Sequence, residues 1–114
     1  MGKKFAIKSE DIHPLATGYG GCIATDMILV DGKSVSYMVR DEPVDPHDSG
    51  WCFMAGDESQ DYMDEPNHHG IYDVNTIANY SPEIIPLLDT PAPCAFARDD
   101  SGKLVQVPYE APED

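Results

Sequence analysis

The sequence predicts an α+β fold: a mainly antiparallel sheet of about five strands with two or three short helices packed on one face. Three observations lead there. Two runs rich in Ile, Val, Leu, Tyr and Met flank Asp31-Gly32, and two more strand-like runs flank the turn from Asp99 to Gly102. Between these pairs lie helix-start signals at Asp73 and at Ser81-Pro82. Strands, then helices, then strands, without regular alternation, argue against a parallel doubly wound sheet.

Residues 1–19 mix Lys, Ser, Pro and Gly with few apolar positions, which reads as a loosely ordered lead-in to a single domain over 20–107. Cys22 to Val30 and Ser34 to Val39 are the first two expected strands. Asp31-Gly32 between them is a hairpin signal, because a type I′ turn needs positive φ at both central residues. In the second arm, Val35, Tyr37 and Val39 alternate with Ser34, Ser36 and Met38, the period-2 pattern of a half-buried strand. Pro43, Pro46 and Gly50 mark a loop, and Trp51 to Ala55 gives a third strand that Gly56 ends. Asp57 to Glu65 has the length of one or two helical turns before Pro66. Asp73 is placed to cap a helix to Tyr80 in which Val74, Ile77 and Ala78 fall at i, i+3 and i+4. Ser81, with Pro82 at the first helical position, starts a second short helix that Pro86 shortens. Cys94 to Arg98 and Lys103 to Val107 form the last hairpin, and 108–114 is a Pro-rich acidic tail.

The 114 residues carry 21 Asp and Glu against 7 Lys and Arg, a net charge of −14, with 41% hydrophobic residues. This is enough for one core and no more. Such a charge excludes a general nucleic-acid binder, which needs cations to neutralise phosphates, and excludes anionic membrane surfaces for the same reason. No apolar run has the length of a membrane span, and no signal-peptide stretch follows the basic start, so a cytoplasmic location is expected. Cys22, Cys52 and Cys94 are an odd number set among apolar neighbours and read as buried thiols of a reducing compartment.

Charge is unevenly distributed. Between Arg40 and Arg98 there is no Lys or Arg, and these 57 residues hold 12 carboxylates. Asp41, Glu42, Asp45, Asp48, Asp57, Glu58, Asp61, Asp64 and Glu65 crowd around Trp51 and Tyr62. Such a surface steers a cationic protein partner by speeding its association; the plain alternative is a solvated, solubilising face. Trp51 and Tyr62 are either core residues or exposed anchors, both types being enriched in binding hot spots.

His47, His68 and His69 near carboxylates raise a divalent-metal or small-ligand alternative, centred on Asp45 to Asp48 and His68-His69. The spacing gives it little: an EF-hand started at Asp45 would place Gly56 where the bidentate Glu belongs. No Gly-x-Ser-x-Gly elbow, phosphate-binding loop or nucleophile–histidine arrangement is present, so neither an enzyme nor a cofactor is expected.

The segments Gly21-Cys22-Ile23-Ala24-Thr25-Asp26, Ser49-Gly50-Trp51, Ala55-Gly56-Asp57-Glu58, Tyr62-Met63-Asp64 and Asn75-Thr76-Ile77-Ala78-Asn79-Tyr80, in this order, resemble the bacterial immunity-protein family numbered thirty-three, earlier catalogued as a domain of unknown function. The likeness runs from about Gly20 to Arg98 and departs at Pro93-Cys94-Ala95-Phe96, where the family has Gly or Ser ahead of the strand Phe. It implies a binder that neutralises a cognate toxin, and supplies no catalytic residue. Asn75 and Asn79, four apart on one helix, either tie it to a neighbouring loop through side-chain hydrogen bonds or make contacts with a partner.

Overall fold

The computed structural model describes residues 5–7, 9–42, 48–56 and 58–109. In chain order the elements are β1 (Gly21–Thr25), α1 (Asp26–Leu29), β2 (Tyr37–Arg40), β3 (Asp48–Met54), α2 (Gln60–Met63), β4 (His69–Asp73), α3 (Val74–Tyr80), β5 (Cys94–Arg98) and β6 (Leu104–Val107). Single 3-10 turns occur at Ser9–Asp11 and Pro66–His68, and a longer 3-10 segment covers Pro82–Leu87. The six strands form one sheet in the order β4-β1-β3-β2-β5-β6, antiparallel throughout except for the β1–β3 pair. The α+β class is as expected, with one strand more than the sequence suggested.

That extra strand is β4, and the first hairpin is absent. The run from Cys22 to Val30 breaks after Thr25 into α1, and β1 pairs with β3 and β4 rather than with β2. Asp31-Gly32 closes α1 instead of a hairpin: Gly32 has φ +76° and its N–H bonds the Ile28 carbonyl, while Lys33 N–H reaches the Met27 carbonyl. A left-handed glycine serves a helix end as well as a type I′ turn, so the dipeptide could not separate the two.

Asp73 caps α3 as predicted, its carboxylate accepting from Asn75 N–H at 2.8 Å. Ser81 does not cap the segment after it. Its buried hydroxyl accepts from Val35 N–H at 2.8 Å, fastening the loop before β2 to the end of α3. Pro82 and Pro86 lack amide protons, and the segment holding them stays 3-10. Asn75 and Asn79 do tie their helix to a loop: Asn75 Oδ1 accepts from Leu15 and Ala16 N–H, and both side-chain amides donate to the His13 carbonyl.

The sheet has two unlike faces. On the inner face Ala24, Met38, Trp51, Phe53 and Phe96 pack against Ile28, Val74, Ile77, Ile84 and Leu88 of the helical layer. Trp51 stacks on Phe53 with ring centroids 5.8 Å apart and meets Phe96 at 6.4 Å. Met38 thus takes the core position in β2 and its neighbours Tyr37 and Val39 are half-buried, a phase opposite to the alternation in the sequence. On the outer face the register aligns Ile71, Ile23, Cys52, Val39, Ala95 and Val107 in one row across all six strands. Met54, Tyr37, Ala97 and Val105 form a second row beside it. Ile23, Ile71 and Val105 stand exposed there, Ile71 at 82%.

Candidate functional site

The carboxylates that mark this chain occupy both ends of β3 on the outer face. At one end β3 begins with a register shift against β1, built by Ser49 and Gly50. The Ser49 hydroxyl donates to the Gly21 carbonyl at 2.6 Å and accepts from Trp51 N–H at 3.1 Å. Gly50 has φ +83°, and a Cβ there would lie 2.1 Å from the Asp41 carbonyl oxygen, so no other residue fits without moving the backbone. This places Asp41 beside Gly50, where its carboxylate accepts from the Tyr109 hydroxyl; Glu42 follows, exposed.

At the other end Gly56, with φ +95°, turns the chain out of β3. Glu58 folds back across the turn, accepting from Ala55 N–H at 2.7 Å, from Gly56 N–H at 2.8 Å and from the buried Thr25 hydroxyl. Glu58 is therefore a structural carboxylate first. The expected helix over Asp57 to Glu65 is the shorter α2, capped by Ser59, whose hydroxyl accepts from Tyr62 N–H at 3.1 Å. Asp61, Asp64 and Glu65 point to solvent; Asp64 takes a bond from Gln60 at 2.9 Å and Glu65 caps the 3-10 turn at Asn67. Asp45 and Asp57 lie outside the described residues, as does the side chain of Asp48.

The two predicted aromatic anchors part company. Trp51 is a core residue at 1% exposure, with the Arg40 guanidinium 5.5 Å from its ring centroid. Tyr62 is half-buried and stacks on His68 at 4.0 Å, and His68 Nδ1 meets the Tyr62 carbonyl at 2.9 Å. Burial, and then the carboxylates of Asp26, Asp31 and Glu58, raise the Tyr62 hydroxyl above the ordinary tyrosine range. Cys52 lies on the outer face between the two carboxylate groups, and burial, followed by Asp41 and Glu58, pushes its thiol up to about 11.

Cations near the segment are committed elsewhere. Arg40 donates to the carbonyls of Ser49, Leu88 and Thr90, and Arg98 pairs with Glu83 and donates to the Gly102 carbonyl. Between α2 and the second outer row is an open recess of about 460 Å³ lined by Tyr37, Met54, Met63 and Ala97, with Glu58 and Arg98 at its margin. Among the described residues no three His, Cys, Asp or Glu side chains gather as a metal would require, and no helix is long and apolar enough to cross a membrane. Sequence reasoning found the carboxylates but missed the exposed Ile23 and Ile71 between them; the alternation Ile71-Tyr72-Asp73 was the available signal for β4.

Comparison with known proteins gives one result: the family model described as the immunity protein Imm33 domain matches residues 22–108. No curated protein and no solved structure matches the chain.

Proposed function

The chain belongs to the Imm33 immunity-protein domain family, and from that premise we propose that it binds and neutralises a cognate bacterial toxin through the acidic surface around β3 and α2. The observation that supports this is the spread of exposed carboxylates at Glu42, Asp61, Asp64 and Glu65, with the nearest arginines, Arg40 and Arg98, engaged by carbonyls and by Glu83. Asp41, Glu58 and Tyr62 brace that surface, Trp51 supports it from the core, and Asp45, Asp48 and Asp57 add charge along the same segment. A nuclease is the toxin class that suits such a field, since a cleft that holds phosphates offers the complementary charge. Inhibition then requires occlusion alone, without chemistry, cofactor or metal.

Capture of partners from the native bacterium at low and moderate salt, followed by a toxicity assay with and without the chain, tests the reading. The expected result is one basic protein, released as salt rises and harmless when the chain is co-expressed. Reversing Asp61, Asp64 and Glu65 to Lys should slow its association by about tenfold or more and flatten the salt dependence. An association rate unchanged by the three reversals would leave the acidic face a merely solvated one.

A further inference from the structure

The outer sheet face combines exposed aliphatic residues with carboxylates at both ends, and while Glu58 and Asp41 serve the fold, the exposed Ile71, Glu42 and Asp61 do not. Ile23 and Ile71 are a cross-strand pair at the β1–β4 edge, 44% and 82% exposed, so that the Ile71 side chain above all is left in water. Along β3 the strip runs from Gly50 past Cys52 to Met54, with Asp41 and Glu42 at one end and Glu58 and α2 at the other. The recess beside Met54 opens onto the same face, and its lining joins Tyr37, Met54, Met63 and Ala97 to Ser36, Gly56, Glu58 and the Glu83-paired Arg98. Methionines of this kind adapt to the shape of an inserted side chain.

From this we infer that the outer sheet face is the central contact of the interface, and that it takes a protein surface presenting aliphatic or aromatic side chains flanked by lysine or arginine. An apolar anchor seats on Ile23, Ile71 and in the recess, while the flanking cations meet Glu42 at one end and Asp61 and Asp64 at the other. This is the usual division of an interface into a dry centre and a polar rim. A second copy of the chain is the wrong occupant, because each copy carries −14 and would bring like charges together at both ends. The inference rests on the toxin-binding reading and adds to it: charge brings the partner in, and the apolar centre holds it.

Selection of a random-peptide phage library on the full chain, with counter-selection on the Ile23→Ser, Ile71→Ser double variant, tests the face without needing the toxin. The expected peptides combine Trp, Phe or Leu with Lys or Arg and bind the double variant about tenfold or more weakly. Peptides that bind both proteins equally, peptides lacking basic residues, or no enrichment at all would overturn the inference. Should the double variant melt early, Ile71→Ser alone carries the comparison, since its side chain is already in water. The same variants separate this inference from the reading beneath it. A captured toxin whose dissociation ignores them defeats the sheet face and spares the acidic surface, whereas face-dependent peptides with no neutralised toxin do the reverse.

Discussion

The two faces of the sheet come from the same strands, yet they differ as a core differs from a surface. On the inner side Phe53 and Met38 are fully buried beneath α3 and the Pro82–Leu87 segment, whereas on the outer side Ile71 is almost wholly exposed and Ile23 nearly half so. Period-2 alternation alone would make the outer residues polar. They are aliphatic instead, and the polar groups of that side are gathered at its ends. The contrast teaches that burial in the domain accounts for the inner face and for Ala95 at the middle of the outer one, but not for Ile71 and Ile23 at the β4–β1 side.

The sharpest way to break this contrast is to damage each face in turn and compare the losses. Phe53→Ala removes a buried ring that stacks on Trp51, and should cost about 3–5 kcal/mol in urea unfolding. A loss below about 1 kcal/mol would mean that the inner face is not the core. Glu58→Ala strips the acceptor from two backbone N–H groups and from the buried Thr25 hydroxyl, for an expected loss of about 1–3 kcal/mol. Glu58→Gln, which keeps an acceptor oxygen, should recover part of that, and identical losses for the two would show that charge rather than hydrogen bonding holds the turn. Ile71→Ser should change stability by no more than about 0.5 kcal/mol. A loss above about 1 kcal/mol there would show that the outer face is covered after all, and would remove the asymmetry.

The sequence was most legible where a signal had a single structural use. Asp73 before an apolar i, i+3, i+4 pattern could only open a helix, and α3 begins there. Asp99 to Gly102 joined two strands as expected, because Asp99 accepts from Ser101 and Lys103 N–H and holds the turn closed. Legibility failed where one signal serves two structures. Asp31-Gly32 ends a helix as readily as it turns a hairpin, and the apolar run before it suited strand and helix alike. Tyr37, Met38 and Val39 are apolar on both sides of β2, an interior strand, so alternation could not tell which side is the core. β4 escaped notice because its strength comes from pairing with β1 and not from its own composition, which includes Gly70.

The candidate site was half legible for a related reason. Ser49-Gly50-Trp51, Ala55-Gly56 with Glu58, and Asn75 with Asn79 drew attention in the sequence, and in the structure each of them serves the fold, as a register shift, a turn and a tether respectively. Those fragments carried the likeness to the family, and in this chain they build the shape. Charge could be counted without a structure, but the apolar centre between the charges exists only once β4 lies beside β1.

Trp51 is the single tryptophan of the chain, sealed at 1% exposure between Phe53, Phe96 and the Arg40 guanidinium. Among the described residues its indole N–H is the buried side-chain polar atom without a hydrogen-bond partner. The protein thus carries one indole fluorophore, separable from its six tyrosines by excitation at the red edge, shielded from the solvent and on the opposite side of the sheet from Ile23 and Ile71. Its emission therefore reports on the interior and is blind to a rigid body resting on the outer face. A silent spectrum during complex formation would signify docking of preformed surfaces, and a shifted one would signify that the partner reaches through the sheet and rearranges the packing beneath.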